Sequence, residues 1–93
     1  MKYFKSHWNE LRGDDSDSWG FSTFYIEVGE DLYPQRQIEI YENGYKLQYS
    51  NEHVEDKFGT LGDQPVNESL EGLIPILKEE FEQIWHSEKP LNS

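Results

Sequence analysis

Residues 35–50, QRQIEIYENGYKLQYS, decide the fold of this chain. Two alternating apolar and polar runs flank Asn43-Gly44, and this arrangement is the strongest short-range signature of a β-hairpin. With Asn43 and Gly44 as a two-residue type I′ loop, the register pairs Glu42 with Tyr45, Ile40 with Leu47 and Ile38 with Tyr49. These apolar side chains then share one face, so we expect a hairpin that belongs to a one-sided sheet.

Two segments upstream of the hairpin alternate in the same way. Phe21–Val28 places Phe24, Ile26 and Val28 on one face, and Lys2–Trp8 alternates more weakly. We expect the first segment to pair with the first strand of the hairpin. The second segment is predicted to be a strand at an edge of the sheet, where its lysines would discourage unwanted pairing.

The apolar period becomes helical in the C-terminal part, between Leu70 and Trp85. Ser69 can cap a short helix or turn that ends at Pro75, and a main helix is predicted over residues 76–86. Residues 51–67 are expected to form an irregular connection with at most a short strand near Lys57–Leu61, and residues 87–93 a frayed tail. The predicted fold class is therefore α+β: a single domain over residues 1–93, with an antiparallel β-meander of three to four strands and a C-terminal α-helix packed on one face.

The composition is that of a folded acidic domain. Three Trp, six Tyr and five Phe provide a large apolar area for a chain of 93 residues. There is no cysteine, which excludes disulfides, thiolate metal sites and a Cys nucleophile. Because no segment has the apolar length of a signal peptide or a membrane span, we expect a cytoplasmic protein.

Nineteen acidic residues against eight basic ones give a net charge of −11. The bases are concentrated at the start, where Lys2, Lys5 and Arg12 face Glu10 alone. Such a surface repels nucleic acid and anionic membranes and attracts basic proteins. Solubility is an alternative explanation for the charge.

The acidic segment 14–20, DDSDSWG, is the first candidate for chemistry. Asp15, Asp17 and Gly20 match three positions of a calcium-binding loop, but Trp19 and Ile26 occupy positions that require oxygen ligands. The three histidines lie far apart in sequence, and the chain has neither a nucleophile motif nor a phosphate-binding loop. We therefore expect no catalytic residue, no metal and no cofactor.

Aromatic residues beside carboxylates are the second candidate. Trp19 lies in the acidic segment, and Tyr25 and Tyr41 are predicted on the sheet face away from the helix, beside Glu27 and Glu39. These tyrosines are explained either by cross-strand packing or by a surface that grips a basic protein.

Three segments carry a resemblance to a known family: Arg36–Gly44, Leu61–Pro65 and Lys78–Trp85. From Tyr25 to Trp85 the chain resembles a family of small bacterial proteins classed as a domain of unknown function. Its members occur in polymorphic toxin and contact-dependent inhibition loci as apparent immunity proteins. Leu77 stands where the family pattern has a helix-capping Ser, and the acidic insertion at residues 13–18 is particular to this chain. The resemblance implies an immunity function and supplies no catalytic residue.

These observations predict an immunity protein that binds and neutralises a cognate basic toxin domain, such as a nuclease. The predicted partner-binding residues are Asp14, Asp15, Asp17 and Trp19, with Glu52, Glu55 and Asp56 as a second patch. One alternative is a phage-encoded inhibitor that mimics nucleic acid to occupy a host defence protein. Another is a small metal-assisted hydrolase that uses the Asp loop and a histidine. The oligomeric state is left open, because a sheet edge could pair two copies while the net charge opposes it.

Overall fold

The computed structural model describes residues 1–70 and 72–92 and has an α+β fold. Its main sheet is antiparallel, with five strands in the order β4-β3-β2-β1-β7, and β5 and β6 form a separate small hairpin. The elements are β1 (Lys2–Trp8), a 3₁₀ turn (Asp17–Trp19), β2 (Ser22–Val28), β3 (Pro34–Tyr41), β4 (Lys46–Ser50), β5 (Glu55–Asp56), β6 (Gly59–Thr60), β7 (Leu73–Pro75) and helix α1 (Lys78–Trp85). In the part of the chain so described, no helix is long and apolar enough to cross a bilayer.

The first four strands form the predicted meander, and β7 adds a fifth strand that the sequence did not indicate. It pairs with β1 through Phe4 opposite Pro75 and Ser6 opposite Leu73. The prediction that β1 is an edge strand is therefore wrong. The helix or turn expected before Pro75 takes the form of turns, with the N–H of Leu70 donating to the carbonyl of Asn67 and that of Leu73 to the carbonyl of Leu70, and the segment ends in a strand. Pro75 is tolerated in β7 because an edge strand leaves one side of its backbone unpaired.

The hairpin forms where predicted, but its register differs by one residue. The N–H of Tyr41 donates to the carbonyl of Tyr45 and the N–H of Gly44 donates to the carbonyl of Tyr41, both at 2.9 Å. The loop therefore has three residues, with Gly44 at φ 92°, the left-handed conformation that glycine adopts in such loops. Ile38 opposes Gln48 and Glu39 opposes Leu47. The predicted type I′ register is wrong, and a shift of one residue moves each side chain of β4 to the other face.

Both faces of the sheet consequently carry an apolar cluster. The helix cluster consists of Tyr3, Ile38 and Phe81, with Tyr25, Ile40, Ile76, Ile84 and Trp85 packed against them. The Trp19 cluster, on the opposite face, consists of Trp19, Tyr41, Leu47, Tyr49 and Leu61, with Phe58 packed against them. Tyr25 thus packs under the helix, contrary to prediction. Tyr41 lies on the far face as predicted, but it is buried.

Helix α1 is shorter than the predicted 76–86 and is stabilised by contacts distant in sequence. Its N-cap is Leu77, which provides no side-chain hydrogen bond, and its last turn contains no basic residue. Lys46 reaches this end from β4, and its Nζ donates to the carbonyls of Ile84 and Glu88. A cation at this position complements the negative end of the helix dipole.

The C-terminal tail covers the outer edge of β4. The N–H of Leu91 donates to the carbonyl of Lys46 at 2.7 Å. The side-chain amide of Asn92 bonds to both backbone groups of Gln48, each at 3.0 Å. The expected fraying is therefore wrong for Leu91 and Asn92, which protect this edge from pairing with another chain. Ser93 lies outside the described residues.

Candidate functional site

The acidic loop of the sequence prediction meets the segment that follows β4 at one contact, on the sheet face opposite the helix. We call residues 13–19 the acidic loop and residues 52–56 the second acidic segment, which leads into the β5–β6 hairpin. Trp19 and Phe58 join them, with ring centroids 5.7 Å apart. Arg12 strengthens this junction by donating from Nη2 to the carbonyl of Phe58. The acidic loop therefore contacts the β5–β6 hairpin, whereas Glu52, at the start of the second segment, lines a cleft with Arg36 and Trp85.

Trp19 anchors the acidic loop to the sheet. It is only 9% exposed, and its ring meets those of Tyr41 and Tyr45 edge-on at 5.1 and 5.0 Å. The guanidinium of Arg12 lies 5.1 Å from the centroid of the same ring. The expectation that Trp19 is an exposed partner contact is therefore wrong, because its side chain is already buried against the aromatic residues that anchor the loop.

The carboxylates of the acidic loop fix the backbone of the loop itself. Asp17 accepts the N–H of Gly13 at 2.6 Å and that of Asp14 at 3.2 Å. Asp14 accepts the N–H of Ser16 at 2.8 Å and a bond from Nε of Arg12 at 3.1 Å. The bond from Ser16 and the Arg12 guanidinium together hold the pKa of Asp14 below its ordinary value. Asp14, Asp15 and Asp17 are all exposed on this ordered loop.

Asp56 has a structural role at the base of the second acidic segment. Its Oδ1 accepts bonds from the Tyr49 hydroxyl at 2.9 Å and the Phe58 N–H at 2.8 Å. Its Oδ2 contacts Nε2 of His53 at 2.7 Å and the amide of Asn92 at 2.9 Å. Burial alone raises the pKa of Asp56, but these hydrogen bonds hold it well below its usual range. Glu52 and Glu55, by contrast, are exposed.

A buried carboxylate lies beneath the surface, at Glu39, which is 5% exposed. It accepts bonds from the hydroxyl of Tyr41 at 2.6 Å and from Nε2 of Gln37 at 2.9 Å, and Nη1 of Arg12 is 3.8 Å away. Burial raises the pKa of Glu39, and these neighbours offset the rise only in part. Sequence reasoning placed Glu39 beside Tyr41 but did not predict its burial, because the covering residues come from other segments.

Arg36 forms a matching polar cluster on the helix face. Its guanidinium bonds to the carboxylate of Glu27 at 2.7 and 2.8 Å and to that of Glu82 at 2.9 Å. It also lies 4.9 Å from the ring centroids of both Phe81 and Trp85. Arg12, Arg36 and Lys46 are thus engaged inside the fold, so the outer surface has fewer available cations than the composition indicates.

The three histidines contact different partners in the fold. His7 contacts the hydroxyl of Thr23, His53 contacts Asp56, and His86 lies 3.8 Å from Glu82. Among residues 1–70 and 72–92, no group of three or more His, Cys, Asp or Glu side chains is placed to hold a metal ion.

Comparison with known proteins found no match among family models, curated proteins or solved structures. The family resemblance described from the sequence therefore stays a prediction, and the functional argument depends on the geometry of the site.

Proposed function

We propose that this protein is an immunity protein that binds a basic toxin domain through the surface formed by the acidic loop and the second acidic segment. The observation that carries the proposal is the convergence of these two segments on the Trp19–Phe58 junction. Both segments carry exposed carboxylates, and these are the groups that bind Lys and Arg side chains most strongly.

The order of the loop favours binding over a purely solubilising role. The backbone of the acidic loop is fixed by Asp14 and Asp17, and the second segment is fixed by Asp56. A backbone that is already fixed loses less conformational entropy when a partner binds the exposed side chains that it carries. Lys57 and Arg12 are the bases beside this surface, and their side chains lie over the rings of Phe58 and Trp19 respectively. Asp15, Glu52 and Glu55 are therefore the contact residues that we assign to the partner.

The net charge of the protein also favours fast binding to a basic toxin. The net charge of −11 attracts a cationic domain over several ångströms and increases the association rate. A nuclease binds phosphates with Lys and Arg side chains, and the carboxylates of this surface would occupy those side chains in place of the substrate. Inhibition then follows from occupation of the substrate groove.

The proposal is tested by co-expression with the protein encoded by the adjacent gene, in cells whose growth that protein alone arrests. We expect growth to be restored and a complex to co-purify. Absence of both rescue and complex contradicts the proposal.

A matched pair of variants locates the contact. The first variant is Asp15→Asn with Glu52→Gln and Glu55→Gln. The second removes the same amount of charge from other exposed positions, through Glu30→Gln, Glu79→Gln and Glu88→Gln. The first should fail to rescue growth, whereas the second should rescue it as the wild type does. Equal behaviour of the two variants contradicts a localised site.

A further inference from the structure

The sheet face opposite the helix is covered only in part. The Trp19 cluster packs over β3 and β4, whereas the β1 and β2 side of this face borders an open groove of about 560 Å³. The lining of this groove is mainly apolar and includes Trp8, Phe24, Ile26, Val66, Leu70 and Leu73. Trp8 is 52% exposed and Leu70 is 59% exposed. Large apolar side chains left open in the lining of one groove are characteristic of a protein-binding surface.

The groove has an acidic end. Trp8 and Phe24 also line a second cleft of about 310 Å³, which is bordered by Glu10, Asp14 and Glu39. Arg12 lies in the same cleft, but its guanidinium is engaged by Asp14, the Tyr41 hydroxyl and a backbone carbonyl. Asp63 adds a further carboxylate to the lining of the apolar groove. An apolar floor therefore continues into a region where acids outnumber bases.

We infer that this groove binds a segment of a basic protein that carries an apolar side chain next to an Arg or Lys. The apolar side chain lies between Trp8 and Leu70, and the cation is directed to the end bordered by Glu10 and Asp14. This inference rests on the proposed function and adds a second contact, continuous with the acidic loop through Asp14.

Charge complementarity identifies the occupant. A second copy of this chain, or an acidic segment, would bring like charges to Glu10, Asp14 and Asp63, and each copy has a net charge of −11. A segment with cations alone would leave Trp8 and Leu70 exposed to water. Only a segment that is both apolar and basic satisfies the two halves of the site.

Synthetic peptides of equal length test the chemistry, with binding followed by NMR on ¹⁵N-labelled protein. One peptide combines Leu and Arg, a second replaces its Leu by Gln, and a third replaces its Arg by Glu. We expect the Leu/Arg peptide to shift the indole N–H of Trp8 and the amides of Phe24, Ile26 and Leu70 in a saturable way. The Gln/Arg peptide should bind the groove about tenfold or more weakly, and the Leu/Glu peptide should leave these signals unchanged.

Several outcomes would overturn the inference. If the Leu/Glu peptide binds as well as the Leu/Arg peptide, the groove takes any apolar segment. If the same signals move with protein concentration alone, the occupant is a second copy of the chain. An absence of shifts with the Leu/Arg peptide means that the groove binds no segment of this class.

Two double variants separate this inference from the proposed function. Trp8→Ser with Leu70→Ser should weaken binding of the Leu/Arg peptide about tenfold or more. Ile74→Ser with Leu77→Ser, at positions 49% and 71% exposed, should change it less than about twofold. In the growth assay, loss of rescue in the Asp15, Glu52 and Glu55 variant together with full rescue in the Trp8 and Leu70 variant refutes the groove and retains the immunity function. Failure of the wild type to rescue, with the peptide results as expected, refutes the immunity function and retains the groove.

Discussion

Trp19→Ala should remove much of the free energy of unfolding of this domain, because the side chain belongs to the core. The indole is 9% exposed and contacts the rings of Tyr41, Tyr45 and Phe58 at centroid distances of 5.0 to 5.7 Å. Removing a buried Trp costs about 3–5 kcal/mol, and each aromatic pair contributes roughly 0.5–1.5 kcal/mol of that amount. A domain of this size has a free energy of unfolding of about 5–14 kcal/mol. The substitution therefore removes about a fifth or more of it.

The matched control is Trp8→Ala, since Trp8 is 52% exposed and the change should cost about 1 kcal/mol or less. Urea unfolding should be followed by far-ultraviolet circular dichroism, because each variant alters the tryptophan fluorescence. We expect the unfolding midpoint to fall far more for Trp19→Ala than for Trp8→Ala. A loss below about 1 kcal/mol in Trp19→Ala, together with lost partner binding, would refute the core assignment and restore the sequence-based prediction of an exposed anchor.

Four further predictions concern the polar contacts. Arg36→Met should lower the free energy of unfolding by about 2–4 kcal/mol in urea titrations. The reason is that the carboxylates of Glu27 and Glu82 lose the part-buried guanidinium that pairs with them. The pKa of Asp56 is held below its ordinary value, so its stabilising contribution is present above about pH 4 and is lost as the pH falls further. Unfolding titrations at pH 3 and pH 7 should therefore show a smaller loss on acidification in Asp56→Asn than in the wild type. The pKa of Glu39 is raised, so its ionisation destabilises the fold as the pH rises above about 4. Because Gln does not ionise, the free energy of unfolding of Glu39→Gln should increase relative to that of the wild type between pH 4 and pH 7. Asn92→Ala should cost about 1–2 kcal/mol in urea and increase self-association in sedimentation, because it uncovers the edge of β4 at Gln48.

The strands were predictable because their signal is local. Alternation marked Lys2–Trp8, the strand ending at Val28 and both arms of the hairpin, and all four are strands. The register of the hairpin was not predictable, because Asn43-Gly44 suits both a two-residue loop and a three-residue loop with Gly44 in a left-handed conformation. The choice between them depends on the Trp19 cluster, which buries Leu47 and Tyr49 on the face opposite the helix.

The assumption of a one-sided sheet explains the remaining errors. Lys46 and Glu39 look like exposed residues in the sequence, but each is 5% exposed. Lys46 donates to the carbonyl of Glu88, whereas Glu39 accepts bonds within its own strand and lies 3.8 Å from Arg12. Trp19 looked exposed because its sequence neighbours are acidic, whereas the rings that bury it belong to residues more distant along the chain. The exposed acids were predictable as a class. The approach of the acidic loop to the β5–β6 hairpin was not predictable, because it depends on the contact between Trp19 and Phe58.

The most direct measurement of the central claim is the dissociation constant of the two charge-matched triple variants for the basic partner, by calorimetry at physiological salt. At roughly 0.7 kcal/mol for each carboxylate, the variant at Asp15, Glu52 and Glu55 should bind about 30-fold more weakly than the wild type. The variant at Glu30, Glu79 and Glu88 should bind within about threefold of it. An equal loss in the two variants would show that net charge alone attracts the partner, and would contradict a binding surface built on the Trp19–Phe58 junction.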